Sequence, residues 1–203
     1  QALRDAVGRH IAAGHNQYAP MTGLPALREQ VAAKIARSYG RVVSADSEVT
    51  IVPGATQGIF CAIQALIQPG DEVIVFDPSY DSYEPSVQLA GGRCVHVPLA
   101  LPHFAIDWQR LGEALSPRTR LIILNSPHNP SGALITRAEL DQLAALIRER
   151  DIYLISDEVY EHLVFDGVQH ASVLAHEELY QRALVVSSFG KTYHVTGWKT
   201  GYV

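Results

Sequence analysis

The sequence predicts an α/β protein: a mostly parallel central sheet with helices on both faces. Three observations carry this. The apolar runs Glu72–Phe76, Leu121–Leu124 and Ile152–Ser156 are of strand length and nearly continuous rather than alternating, as in strands buried on both faces. Helical patterns alternate with those runs, which is the order of a covered parallel sheet. Turn residues cluster just after the strands, where ligands bind in sheets of this kind.

The elements follow in order. Val49–Val52 is a short strand broken by Pro53-Gly54, and Ala55–Ile67 is a helix. Pro69-Gly70-Asp71 turns the chain into the Glu72–Phe76 strand. Ser82–Leu89 is a helix entered near Tyr83-Glu84-Pro85, and Arg93–Val97 is a strand. The proline-rich stretch Val97–His103 is a loop, Trp108–Leu115 a helix and Leu121–Leu124 a strand. Thr136-Arg137-Ala138-Glu139 is a capping box that opens a helix to about Arg148. Ile152–Ser156 and Leu184–Ser187 are further buried strands, and Tyr202-Val203 reads as the middle of another. There is no internal repeat, low-complexity tract or domain boundary, so residues 1–203 are expected to form a single domain.

At 203 residues, 47% hydrophobic and 18% charged, the chain can bury a substantial core. A net charge of -5 and a pI near 6.0 give no basic footprint for nucleic acid. No run of 18 apolar residues exists to span a membrane, and the N-terminus lacks a charged-then-apolar signal pattern. Two cysteines without a partner pattern fit a reducing cytoplasm. The first residue is not Met and the last falls inside a strand pattern, so a fragment of a longer protein is expected.

Lysine is scarce: of 16 basic residues only Lys34, Lys191 and Lys199 are lysine. Lys191 sits in a Gly- and Ser-flanked turn, Ser187-Ser188-Phe189-Gly190-Lys191-Thr192, and a primary amine can condense with a carbonyl where a guanidinium cannot. Gly54-Ala55-Thr56-Gln57-Gly58 follows a strand and opens a helix, which aims free N–H groups at an anion such as a phosphate. Tyr80, in Asp77-Pro78-Ser79-Tyr80-Asp81-Ser82-Tyr83, offers a flat face to an aromatic ring. Asn129 lies in a loop fixed by two prolines and a glycine, Asn125–Gly132, where its amide can point at a ligand. Asp157 ends a buried strand and needs a partner such as a cationic ring nitrogen, with Tyr160 alongside. Each motif alone is also an ordinary turn. Gly190-Lys191-Thr192 is not a P-loop, because Val185 stands where the first glycine belongs. The histidines and cysteines show no zinc-ligand spacing, and there is no G-x-S-x-G elbow. Together the five motifs supply what pyridoxal 5′-phosphate requires of a protein.

The chain resembles the large domain of fold-type I, class I/II aminotransferases, the aspartate-aminotransferase-like fold. Within them it is most similar to the methionine aminotransferase and kynurenine/glutamine transaminase group. Asn16–Gly23, Asp77–Tyr83, Ser126–Pro130, Ser156–His162 and Ser187–Lys199 carry the match, in the family's order. The resemblance implies that Lys191 links covalently to the cofactor and that Asp157 pairs with its ring nitrogen. It implies that Tyr160 and Asn129 bond the ring oxygen and that Tyr80 stacks on the ring. Ala55, Thr56, Ser188 and Lys199 would hold the phosphate, beside Gly54 and Gln57 of the turn. Tyr18 would reach the phosphate of a neighbouring subunit, which implies a homodimer. Lysine at 199 rather than arginine sets the chain apart from the aspartate-type relatives. The implied reaction converts an L-amino acid, with a methionine-like or aromatic side chain, and a 2-oxo acid. β-Elimination from cysteine conjugates and a non-catalytic sensor role use the same scaffold. The family's carboxylate-gripping arginine lies in a small C-terminal domain, expected beyond Val203, and much of the N-terminal segment that covers the substrate is expected to be missing.

Overall fold

The computed structural model describes residues 1–203. The strands are β1 Ile51–Val52, β2 Glu72–Asp77, β3 Arg93–Pro98, β4 Thr119–Asn125, β5 Tyr153–Asp157, β6 Ala183–Ser188 and β7 Gly201–Tyr202. They form one sheet in the order β1-β7-β6-β5-β4-β2-β3. From β6 to β3 every pairing is parallel, whereas β7 runs antiparallel to both β6 and β1. The expected class therefore holds, with one antiparallel strand near an edge. The helices are α1 Ala2–Ala12, α2 Pro25–Tyr39, α3 Ala55–Leu66, α4 Tyr83–Leu89, α5 Trp108–Ala114, α6 Arg137–Ile147, α7 Glu177–Tyr180 and α8 Phe189–Thr192.

Alternate strand residues face opposite sides of a sheet, and both sides here are covered. Ile74, Ile122, Leu124 and Leu154 pack against Leu111 of α5 and Leu140, Leu143 and Ile147 of α6. Val73, Val75, Ile123 and Ile155 pack against Ile59 and Ile63 of α3 and Val87 of α4. This double burial is why the strand sequences lack polar alternation. Gly58 lets α3 approach the sheet closely: a Cβ there would lie 2.7 Å from Val203 and 3.3 Å from Val52.

The capping box forms as the sequence predicts. Thr136 Oγ1 accepts the Glu139 amide at 3.2 Å, and Glu139 Oε2 accepts the Thr136 amide at 2.8 Å. Three features differ from expectation. β1 is only two residues long, although Thr50 exchanges both backbone bonds with Val203 at 2.9 Å. β3 extends to Pro98, so the loop begins at Leu99 rather than Val97. Helices α1 and α2 carried no clear sequence signal. α1 buries no residue, and α2 buries only Arg28, Val31 and Ile35, so neither shows a wide apolar face.

Candidate active site

The carboxyl ends of four parallel strands converge with the turn after β1 on one cavity of about 130 Å³. Gly54 follows β1, Tyr80 follows β2, Asn125 ends β4, Asp157 ends β5 and Ser188 ends β6. All five line the cavity, with Ala55, Thr56, Asn129, Tyr160, Lys191 and Lys199. Ten of the twelve residues singled out from the sequence therefore meet in one place. The side chain of Gln57 is exposed and lies outside the lining. Tyr18 is fully exposed on the segment between α1 and α2, away from the cavity.

One end of the cavity is built for an anion. Gly54 has φ +86° and ψ 156°, and no side chain caps α3 there. The first amides of α3 lack intrahelical acceptors and carry the positive end of the helix dipole. Lys199, itself in a left-handed conformation (φ 53°, ψ 48°), sits directly against this turn. A Cβ at Gly54 would lie 3.3 Å from Lys199 Cε and 3.6 Å from its Nζ. Ser188 Oγ accepts the Gly190 amide at 3.0 Å, which starts α8 and sets the position of Lys191. Neither the Lys191 nor the Lys199 side chain has an ion pair or a hydrogen bond, while Lys34, the third lysine, is paired with Glu161. The Lys199 ammonium beside the α3 N-terminus makes this turn favourable for an anion.

The other end is anionic. Asp157 is 4% exposed. Its Oδ2 accepts the Tyr83 hydroxyl at 2.7 Å and its Oδ1 the Val159 amide at 3.3 Å. Burial raises its carboxyl to about 6, against the pull of those two donors. Tyr80 packs edge-on against Tyr83 with centroids 5.6 Å apart, so one segment places both the flat face and the carboxylate's partner. Asn125 donates from Nδ2 to the Asp157 carbonyl at 3.0 Å and accepts the Asn129 amide on Oδ1 at 2.7 Å. It thereby fixes the Asn129 loop to the end of β5. Lys191 Nζ stands 5.7 Å from the centroid of the Tyr160 ring.

Sequence reasoning did not single out Tyr83 or Asn125. Both lay in quoted motifs; Asn125 is a polar residue at a strand end, which is a signal, whereas Tyr83 starts α4 and carries no local one. Thr196 and Val159 also line the cavity without having been anticipated.

A family model for aminotransferases of class I and II matches residues 1–203. The chain belongs to this family. It is 54% identical over 200 residues to methionine aminotransferase of Escherichia coli (strain K12), which covers 98% of this chain and 52% of that protein. It is 38% identical over 199 residues to kynurenine–oxoglutarate transaminase 1 of Mus musculus, covering 93% of this chain and 47% of that protein. Among solved structures, YbdL of Escherichia coli, identified as having a methionine aminotransferase function, superposes with a TM-score of 0.97 at 54% identity over 98% of this chain and 53% of its own. The aromatic aminotransferase of Pyrococcus horikoshii OT3 superposes with a TM-score of 0.97 at 34% identity over 100% of this chain and 54% of its own. The chain spans about half the length of the curated relatives it matches. The fold described above is thus that of class I and II aminotransferases over the matched half.

Proposed function

We propose that this chain binds pyridoxal 5′-phosphate and forms the chemical centre of an aminotransferase. The proposed reaction passes the amino group of an L-amino acid with a methionine-like, aromatic or other hydrophobic side chain to a 2-oxo acid. The observation that carries the reading is the lining of one cavity: two lysines without ion pairs, a helix N-terminus and a buried carboxylate.

The residues present fit the cofactor. When bound, it supplies an aldehyde that condenses with amines and a protonated pyridine ring that draws electrons from the substrate Cα. The Ala55 and Thr56 amides, Ser188 and Lys199 hold the phosphate. Asp157 holds the proton on the ring nitrogen, a cationic partner that offsets the cost of burying its charge. Tyr80 stacks on the ring, and Asn129 and Tyr160 orient the ring oxygen. Lys191 provides the amine for covalent attachment and then moves a proton at the substrate Cα. No arginine lines the cavity, so the group that grips the substrate carboxylate is proposed to come from the part of the protein that corresponds to the unmatched half of the relatives.

We propose further that the protein works as a homodimer in the cytoplasm. Tyr18 and Met21 are fully exposed, and Leu3, Val7 and Ile11 lie exposed along α1 at helical spacing. A second copy would cover this surface and bring Tyr18 to the neighbouring phosphate site.

Titration with pyridoxal phosphate, borohydride reduction and peptide mass analysis test the reading. The expected result is one phosphopyridoxyl group per chain, on Lys191. Labelling spread over surface amines, with none at Lys191, would overturn it. Product analysis on the full-length protein then separates transamination from β-elimination, which releases pyruvate and ammonia from cysteine conjugates without an acceptor oxo acid.

A further inference from the structure

Glu161 is a buried carboxylate outside the cofactor cavity. Its side chain is 3% exposed. Lys34 Nζ and the Tyr39 hydroxyl, both from α2, donate to Oε2. Ser187 Oγ donates to Oε1 at 2.7 Å, and the Tyr202 hydroxyl reaches the same oxygen at 3.3 Å. Lys34 Nζ also donates to the Tyr202 hydroxyl at 3.1 Å. Burial works against ionisation here, but the Lys34 ammonium and the Tyr39 and Ser187 hydroxyls outweigh it and hold the carboxyl below its usual range.

The partners of this carboxylate are neighbours of cavity residues. Glu161 directly follows Tyr160. Ser187 directly precedes Ser188, and the Phe189–Thr192 helix that bears Lys191 starts from there. Tyr202 pairs with Ser187 across β6 and β7, and Gly201 pairs with Ser188. The Phe189 amide and the Ser188 hydroxyl both bond the Thr200 carbonyl, next to Lys199. The segment Ser188–Thr200 is therefore a wall between the cofactor cavity and a groove behind it that contains Lys34 and Glu161. One carboxylate bonds the two residues that flank this wall, Ser187 before it and Tyr202 after it.

A buried ion pair is weak grounds for stability, since apolar side chains of the same volume serve as well. Apolar packing, however, does not fix direction, and four convergent donors do. We infer that Glu161 is a positioning residue: its carboxylate holds Tyr160, Ser188 and Lys199 in register around the cofactor without touching it. This rests on the proposed cofactor site.

Two variants test it, Glu161→Gln and the gentler Ser187→Ala, which removes one 2.7 Å bond and leaves the Lys34 pair intact. Amide hydrogen exchange on the cofactor-free chain and pyridoxal phosphate titration are read on both, well below their melting temperatures. The expected result is exchange about tenfold faster at Phe189 and Gly190, with β2 and β4 unchanged. Cofactor affinity should fall about tenfold as well. For Ser187→Ala, combination with Tyr160→Phe should give less than the sum of the two single losses. Faster exchange throughout the sheet, or unchanged affinity in a folded variant, overturns the inference. If Glu161→Gln does not fold, the Ser187→Ala results decide alone. A wild-type chain that takes no pyridoxal phosphate would instead sink the proposed function and leave the exchange result standing as a measure of bracing.

Discussion

The hydroxyl of Tyr83 donates to Oδ2 of Asp157 at 2.7 Å, across 74 residues of sequence. It is the only side-chain donor on a carboxylate that is 4% exposed. Burial raises this carboxyl from 3.8 to about 6. The folded chain therefore binds the Asp157 proton more tightly than the unfolded chain. The associated stability is fully present below about pH 4 and is lost as pH rises through about 6. Two pK units correspond to about 3 kcal/mol. Tyr83→Phe removes a donor that favours the ionised form, so the carboxyl should titrate above 6 and the loss should extend to higher pH. A carbon NMR titration of the Asp157 carboxyl in the cofactor-free chain checks the direction, and an unchanged or lower midpoint would contradict it.

Asp157→Asn separates folding from cofactor binding. At pH 8 the wild-type chain keeps a charge at this buried position, whereas asparagine is neutral and its oxygen can still accept the Tyr83 hydroxyl. Urea unfolding at pH 8 should show the variant more stable by about 1–3 kcal/mol, and the gain should vanish near pH 4, where the wild-type carboxyl is protonated. Pyridoxal phosphate should bind the same variant more weakly, because the ring nitrogen loses its anionic partner. A variant that is less stable at pH 8 would show that the Asp157 charge is satisfied without the cofactor.

Lys191→Ala removes the one unpaired amine that faces the Tyr160 ring. Borohydride reduction should then fix no phosphopyridoxyl group at position 191. Transamination by the full-length protein should fall by at least about a hundredfold, the scale set by losing a positioned proton-transfer group. Noncovalent affinity for the cofactor should survive in part, since Lys199 and the α3 amides remain. Rates close to wild type would remove Lys191 from the chemistry.

Much of this site was legible from sequence because its residues follow strands, and buried strands announce themselves by continuous apolar runs. Asp157, Asn129, Tyr80 and the Gly54 turn could each be placed at a strand end without knowing the sheet order. Direction was not legible: β7 reads as a strand, but nothing local says that it runs against β6. Partners were not legible either. Tyr83 reads as the start of a short helix, and only the pairing of β2, β4 and β5 brings it under Asp157. Glu161 and Lys34 lie 127 residues apart, and no periodicity connects them. Tyr18 and Gln57 came forward with the others, yet neither meets the cavity within one chain. Gln57 offers the turn only its backbone, and Tyr18 would meet a cavity only through the proposed second copy.

Gly54 provides the sharpest test of the anion site. At φ +86° and ψ 156° it occupies a region that is open to glycine alone, at a cost of about 1–3 kcal/mol for any other residue. Gly54→Ala should destabilise the chain by about that amount. The added methyl would also lie 3.3 Å from Lys199 Cε, tighter than ordinary contact. Lys199 Cε is near the end of an exposed, flexible side chain, so it can move aside and carry the ammonium out of place. Phosphate affinity should therefore fall with the mutation, by about tenfold, which is the loss of roughly one charge-assisted hydrogen bond. Inorganic phosphate competing against bound pyridoxal phosphate gives the measure. Gly54→Ala with Lys199→Ala should then lose little more affinity than Lys199→Ala alone, because the methyl acts through the lysine it displaces. Additive losses would mean that Gly54 serves the phosphate only through the amides of α3.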